Sequence, residues 1–140
     1  MKIKQITVRE IEYVVYRMAK ELMEWNEPIP AFGTRFPNVL ESCLKQPFST
    51  FGKKNLYRGL AEKGAILFYL LIKNHPFENG NKRIAIAVLF YFLYKNGKWF
   101  VLSNEILYLF AKEVAASDPK KKQEVQEGII RFLRAYLVDI

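Results

Sequence analysis

The chain is poor in the residues that staple or metallate a fold. It has one cysteine, Cys43, which excludes an internal disulfide, and one histidine, His75, which leaves no Cys/His set for structural zinc. Cys43 falls in an apolar-periodic stretch and is expected to be a small buried hydrophobe. Long hydrophobic runs are also missing: Ala65–Ile72 and Ile84–Tyr94 fall short of the roughly 20 residues a membrane-spanning helix needs. The opening MKIKQITVRE has no apolar core of a secretory signal, so a cytoplasmic location is expected. Acidic residues are outnumbered, 14 against 22 basic, for a formal charge of +8. Nucleic acid, a nucleotide substrate and an acidic protein partner all answer to that balance. The charge is scattered, however, and its longest cluster, Lys120-Lys121-Lys122, reads as a solvated helix face.

What is present is globular. Hydrophobic residues make up 51% and charged residues 26% of 140 residues, enough for one domain, 1–140, with its own core. Thr7 followed by Glu10 forms a capping box, after which Ile11, Val14, Val15, Met18, Leu22 and Trp25 recur at helical spacing, ending before Pro28-Ile29-Pro30. Residues 37–45 read as a short helix. The aromatic alternation of Pro47-Phe48-Ser49-Thr50-Phe51, ending at Gly52-Lys53, predicts a short hairpin or flap. Two strongly apolar helices follow, over about 56–74 and 81–96, and the second closes at Gly97. The second is apolar on nearly every face, which places it at the centre of a domain. Ser103 caps a helix to about Ala116, and Asp118-Pro119 opens a last one to about Val138. The expected fold is an all-α, compact bundle of about six helices with a short hairpin before the loop described next. Trp25 and Trp99 are expected in the core.

Between the two apolar helices lies His75-Pro76-Phe77-Glu78-Asn79-Gly80-Asn81-Lys82-Arg83. A loop that enters a helix start through Gly, Lys and Arg suits a phosphate, because the first-turn N–H groups are unpaired and the helix dipole adds positive charge there. A histidine at the loop's other edge is placed to take a proton from a hydroxyl attacking that phosphate. The residues therefore point to phosphoryl or nucleotidyl transfer.

The helix–loop–helix resembles the Fic/Doc family, and within it the Doc-like (death-on-curing) branch. The family pattern His-x-Phe-x-acid-(Gly/Ala)-Asn-(Gly/Lys)-Arg is matched at every fixed position but one, and the resemblance extends over roughly 38–98. It implies His75 as general base, a role that a free histidine pKa near ~6.5 suits. Phe77 would pack inward to hold the loop, with Pro76 as part of the same structural motif. Gly80 would let the backbone approach phosphate oxygens, Asn81 would orient the loop or a phosphate, and Arg83 would make a bidentate phosphate contact. Lys82 stands where family members that transfer AMP mostly have glycine. Doc-like members carry lysine, and that branch transfers the terminal phosphate of ATP instead.

The departure is Asn79, where the family mostly has an acid to ligate Mg²⁺, a hard cation that prefers carboxylate oxygen. Asn79 is thus a weak metal candidate beside Glu78. The resemblance also places a target-docking flap at Phe48, Ser49, Thr50 and Phe51, acting by strand addition. A Glu-Gly pair, Glu127-Gly128, echoes the end of an inhibitory helix motif, although Gln123 stands where Ser or Thr should be. Without an internal inhibitor, a separate acidic antitoxin is the implied partner. The leading expectation is a Doc-like toxin or regulator that uses ATP, with Mg²⁺, to modify a hydroxyl of a cytosolic protein, translation machinery being the implied target class. AMP transfer competes with phosphate transfer. The alternative is a nucleotide- or protein-binding module in which Asn79 has weakened or disabled the chemistry. A nucleic-acid binder is motivated by charge alone and has no helix-turn-helix signature to support it.

Overall fold

The computed structural model of the chain describes residues 2–22 and 27–140, and for Leu22 the backbone only. Trp25 therefore lies outside the described residues. The first helix, α1, runs in three pieces: Val8–Glu10, a π-type stretch Ile11–Val15, and Tyr16–Leu22. It starts at the expected capping box, with Thr7 accepting from the Glu10 N–H and Glu10 accepting from the Thr7 N–H. Then come α2 (Pro37–Lys45), strands β1 (Thr50–Phe51) and β2 (Lys54–Asn55), α3 (Leu60–Lys73) and α4 (Asn81–Lys95). The chain closes with β3 (Lys98–Phe100), α5 (Asn104–Ala116), α6 (Lys122–Tyr136) and β4 (Leu137–Asp139). The bundle of six helices with a small hairpin is the architecture the sequence predicts.

Burial shows why α3 and α4 form its centre. Eleven of the 14 residues of α3 and eleven of the 15 of α4 are buried, so each helix is covered on all sides rather than along one stripe. They pack on each other, and α6 lies along α3. A Cβ on Gly64 of α3 would meet Leu133 of α6 and Leu89 of α4, both at 3.4 Å. Lys63, also on α3, is a buried cation whose ammonium donates to the carbonyls of Pro47 (3.0 Å) and Tyr57 (2.5 Å) and sits 4.7 Å from the Phe48 ring. Those carbonyls are the two feet of the β1–β2 hairpin. Its turn residues Gly52 and Lys53 both have positive φ, as a two-residue hairpin turn requires.

Three expectations need correcting. The helix expected from residue 56 begins at Leu60, because residues up to 55 pair in the hairpin and Gly59 holds the N-cap position. The last helix stops at Tyr136 rather than Val138, since Leu137–Asp139 turns away to pair antiparallel with Lys98–Phe100. Strands of three residues that pair across about 40 positions carry no periodicity to read. Trp99, in turn, is 38% exposed on β3, stacked on Phe90 at 5.0 Å instead of enclosed.

Cys43 is fully buried on α2, and that burial pushes its thiol up to about 11. At pH 8 the folded protein should resist alkylation by iodoacetamide, while denatured protein reacts, as read by intact mass. Because the folded value lies above the unfolded one near 9, stability is held below pH 9 and lost as pH rises towards 11. Rapid alkylation of the native protein would contradict this placement.

Candidate functional site

The loop between α3 and α4 is fixed at both ends. Lys73, in the last turn of α3, donates to the carbonyls of Ala115 (3.2 Å) and Ser117 (2.6 Å) at the end of α5. The chain then reverses at His75, whose φ of +50° lies in the left-handed region. A non-glycine residue held there costs on the order of 1–3 kcal/mol, so the surrounding contacts must impose it. They do. Phe77 is 1% exposed and packs against Tyr16 (5.7 Å between ring centres) and Phe32 (6.4 Å). The Asn81 amide accepts from the Phe77 N–H at 3.1 Å and donates to the Phe77 carbonyl at 2.9 Å. Its nitrogen also lies 3.4 Å from His75 Nδ1, a contact too long to fix the ring's tautomer. His75 itself is exposed.

The helix start follows directly. Gly80 is the N-cap of α4 at φ +71°, and a Cβ there would come within 2.7 Å of the Pro28 carbonyl and 3.0 Å of the Ile29 side chain. Glycine is required both by conformation and by space. The Lys82 N–H donates to Glu27 Oε1 at 3.3 Å, and the Lys82 ammonium lies 3.4 Å from Glu27 Oε2. Glu27 is 9% exposed and also accepts from the Tyr108 hydroxyl at 3.1 Å. Burial, followed by that bond to Glu27, raises the Tyr108 pKa above the usual tyrosine value.

His75, Gly80, Asn81 and Lys82 are thus brought together at the N-terminus of α4, with Pro76 and Phe77 buried beneath them. Arg83 is turned the other way. It is 7% exposed, its two terminal nitrogens donating at 2.6 Å to the carbonyls of Glu27 and Ala19. A guanidinium so placed ties α4 to α1 and to Glu27. Asn79 is exposed, with its amide oxygen accepting from the Gly80 N–H at 2.8 Å. Glu78 is exposed beside it, and among the described residues no cluster of three or more His, Cys, Asp or Glu is placed to hold a metal. This donor set does not make a built Mg²⁺ site.

The feet of the β1–β2 hairpin are held by Lys63 on α3. Phe48 packs on Phe92, near the far end of α4. Segment 28–36 borders the loop: the Phe36 N–H donates to the Pro76 carbonyl at 2.9 Å, and Pro28 and Ile29 cover Gly80. Glu127 is exposed on α6 and makes no hydrogen bond or ion pair with the loop among the described residues. The carboxylate that does reach the motif is Glu27, which sequence reasoning missed along with Tyr108. The one local signal was an acid directly before Pro-Ile-Pro, where nothing periodic accounts for it.

A sequence model described as the Fic/DOC family matches residues 5–93, from the start of α1 to the last turn of α4. No curated protein and no solved structure matches the chain.

Gly80→Ala tests the tight approach at the helix start. The left-handed conformation alone costs a residue with a Cβ about 1–2 kcal/mol, and the Pro28 carbonyl at 2.7 Å adds to it. A melting temperature lower by roughly 5–10 °C is expected by differential scanning calorimetry. An unchanged melting temperature would mean that segment 28–36 yields freely.

Proposed function

The chain belongs to the Fic/DOC family, and from that membership we propose that it transfers the terminal phosphate of ATP to a hydroxyl side chain of a target protein. Membership by itself implies a protein-modifying transferase that draws on a nucleotide, ATP generally used with Mg²⁺. The finer reading is carried by one observation: the exposed His75 stands in the same loop that delivers Lys82 and the N-terminus of α4.

The chemistry follows from these positions. A target hydroxyl approaches His75, and its oxygen attacks the γ-phosphorus as the ring takes the proton. The bond between the γ-phosphorus and its bridging oxygen breaks, and ADP leaves. The Lys82 ammonium and the first-turn N–H groups of α4 stabilise charge on the phosphoryl oxygens. Asn81 and Phe77 position rather than react, and positioning is most of what phosphoryl transfer asks of a protein. Arg83 acts through its carbonyl bonds as the brace beneath Lys82. Mg²⁺ would come with the nucleotide and neutralise phosphate charge, with Asn79 the motif's weak candidate to hold it. Residues 28–36, which border the loop, offer the target a docking edge beside the one expected of the hairpin. The basic chain (+8) suits an acidic antitoxin as a separate partner, and a component of the translation machinery as target is part of the same proposal.

A second reading is favoured by Asn79. With a neutral amide already accepting from Gly80, metal-assisted transfer is weakened, and the chain serves as a nucleotide-binding module. Asn79→Asp then gains activity.

The test incubates the protein with Mg²⁺, a cytosolic extract and ATP labelled on either its α or its γ phosphate. A protein band labelled by γ-ATP alone, and reduced 10²–10⁴-fold by His75→Ala, is the expected result. Label from α-ATP would mean AMP transfer with pyrophosphate leaving. ATP binding with neither label would establish the binding module.

A further inference from the structure

Glu27 has no place in the reaction just described, yet it touches that site through both its main chain and its carboxylate. Its main-chain carbonyl accepts from Arg83 at 2.6 Å, while its carboxylate reaches the Lys82 N–H at 3.3 Å, the Lys82 ammonium at 3.4 Å and the Tyr108 hydroxyl at 3.1 Å. The two anchors differ in kind. The main-chain bond is short and charge-assisted, so the backbone of Glu27 stays with Arg83. The carboxylate contacts to Lys82 are long, so the side chain is the part free to move. An amide N–H at a helix start together with an ammonium group is also the donor pair that a phosphate oxygen takes.

We propose that Glu27 sets the nucleotide affinity of this site by ion exchange: its carboxylate occupies the Lys82 amide and ammonium and gives them up to the incoming phosphate. The inference rests on the reading of the loop as a phosphate site. Displaced from Lys82, the carboxylate retains Tyr108 as a partner, and a swing of the side chain suffices with the 28–36 segment left in place. The exchange replaces one anion by another, so the ammonium is never left without a counter-charge. Binding is weaker than Lys82 and the helix start would give unopposed, because each phosphate must displace a carboxylate tethered to the same fold.

Calorimetric titration of ATP into wild type, Glu27→Gln, Lys82→Ala and the double variant tests this. Glutamine has the same shape and still accepts from the Lys82 N–H, so only the charge is removed. Glu27→Gln should bind ATP at least tenfold more tightly than wild type, and the gain should vanish in the Lys82→Ala background. Equal or weaker binding by Glu27→Gln overturns the proposal, weaker binding meaning that Glu27 holds Lys82 in place for the nucleotide. A gain that persists without Lys82 overturns it as well. If Glu27→Gln does not fold, Glu27→Asp draws the carboxylate back from Lys82 and should tighten ATP severalfold; no tightening there counts against it equally. Wild type that labels its target from ATP while Glu27→Gln binds no better leaves the transferase reading standing and removes only this one. ATP binding by neither protein removes both.

Discussion

Two hydrogen bonds between the Asn81 amide and the backbone of Phe77, at 3.1 and 2.9 Å, close the turn on which the site depends. They join the first residue of α4 to the middle of the loop, so the helix start and the loop cannot move apart. The backbone groups they satisfy belong to a residue 1% exposed, and each would cost about 1–3 kcal/mol if left without a partner. With Phe77 pinned between Tyr16 and Phe32, the chain on its N-terminal side is driven into the left-handed turn that leaves His75 at the surface. One side chain thus fixes the reacting group, the buried anchor and the helix N-terminus relative to one another.

Around that clamp the polar side chains fall into two groups. Arg83 is spent on carbonyls and braces α4 against α1, whereas Lys82 faces outward enough to meet a ligand and is met by Glu27. Adjacent cations in the sequence therefore have opposite uses. The reason is helical: successive residues point about 100° apart, so only one of the pair projects from the open end of α4 while the other enters the bundle. Buried charges elsewhere follow the same rule of full engagement, as with Lys63, whose burial lowers its pKa and whose ammonium is given to two carbonyls and an aromatic face.

The sequence was most legible where local rules decide. Thr7 with Glu10, Ser103, Gly97 and Asp118-Pro119 all punctuate helices where capping chemistry places them. The all-round apolarity of 84–94 correctly located the centre. It was least legible where distant segments meet. The β3–β4 pair, the exposure of Trp99, the approach of Glu27 to Lys82 and the inward turn of Arg83 all rest on contacts across 37 residues or more, apart from the stacking of Trp99 on Phe90. The hairpin was placed correctly in sequence.

The central claim is that residues 75–83 hold a nucleotide by its phosphates at the N-terminus of α4. The most direct measurement is a titration of ¹⁵N-labelled protein with ATP followed by amide chemical shifts. Shifts concentrated at His75 and at Gly80 to Ile84, with adenosine alone leaving them unmoved, are the predicted result. Shifts confined to other parts of the bundle, or equal shifts with adenosine, would contradict the claim.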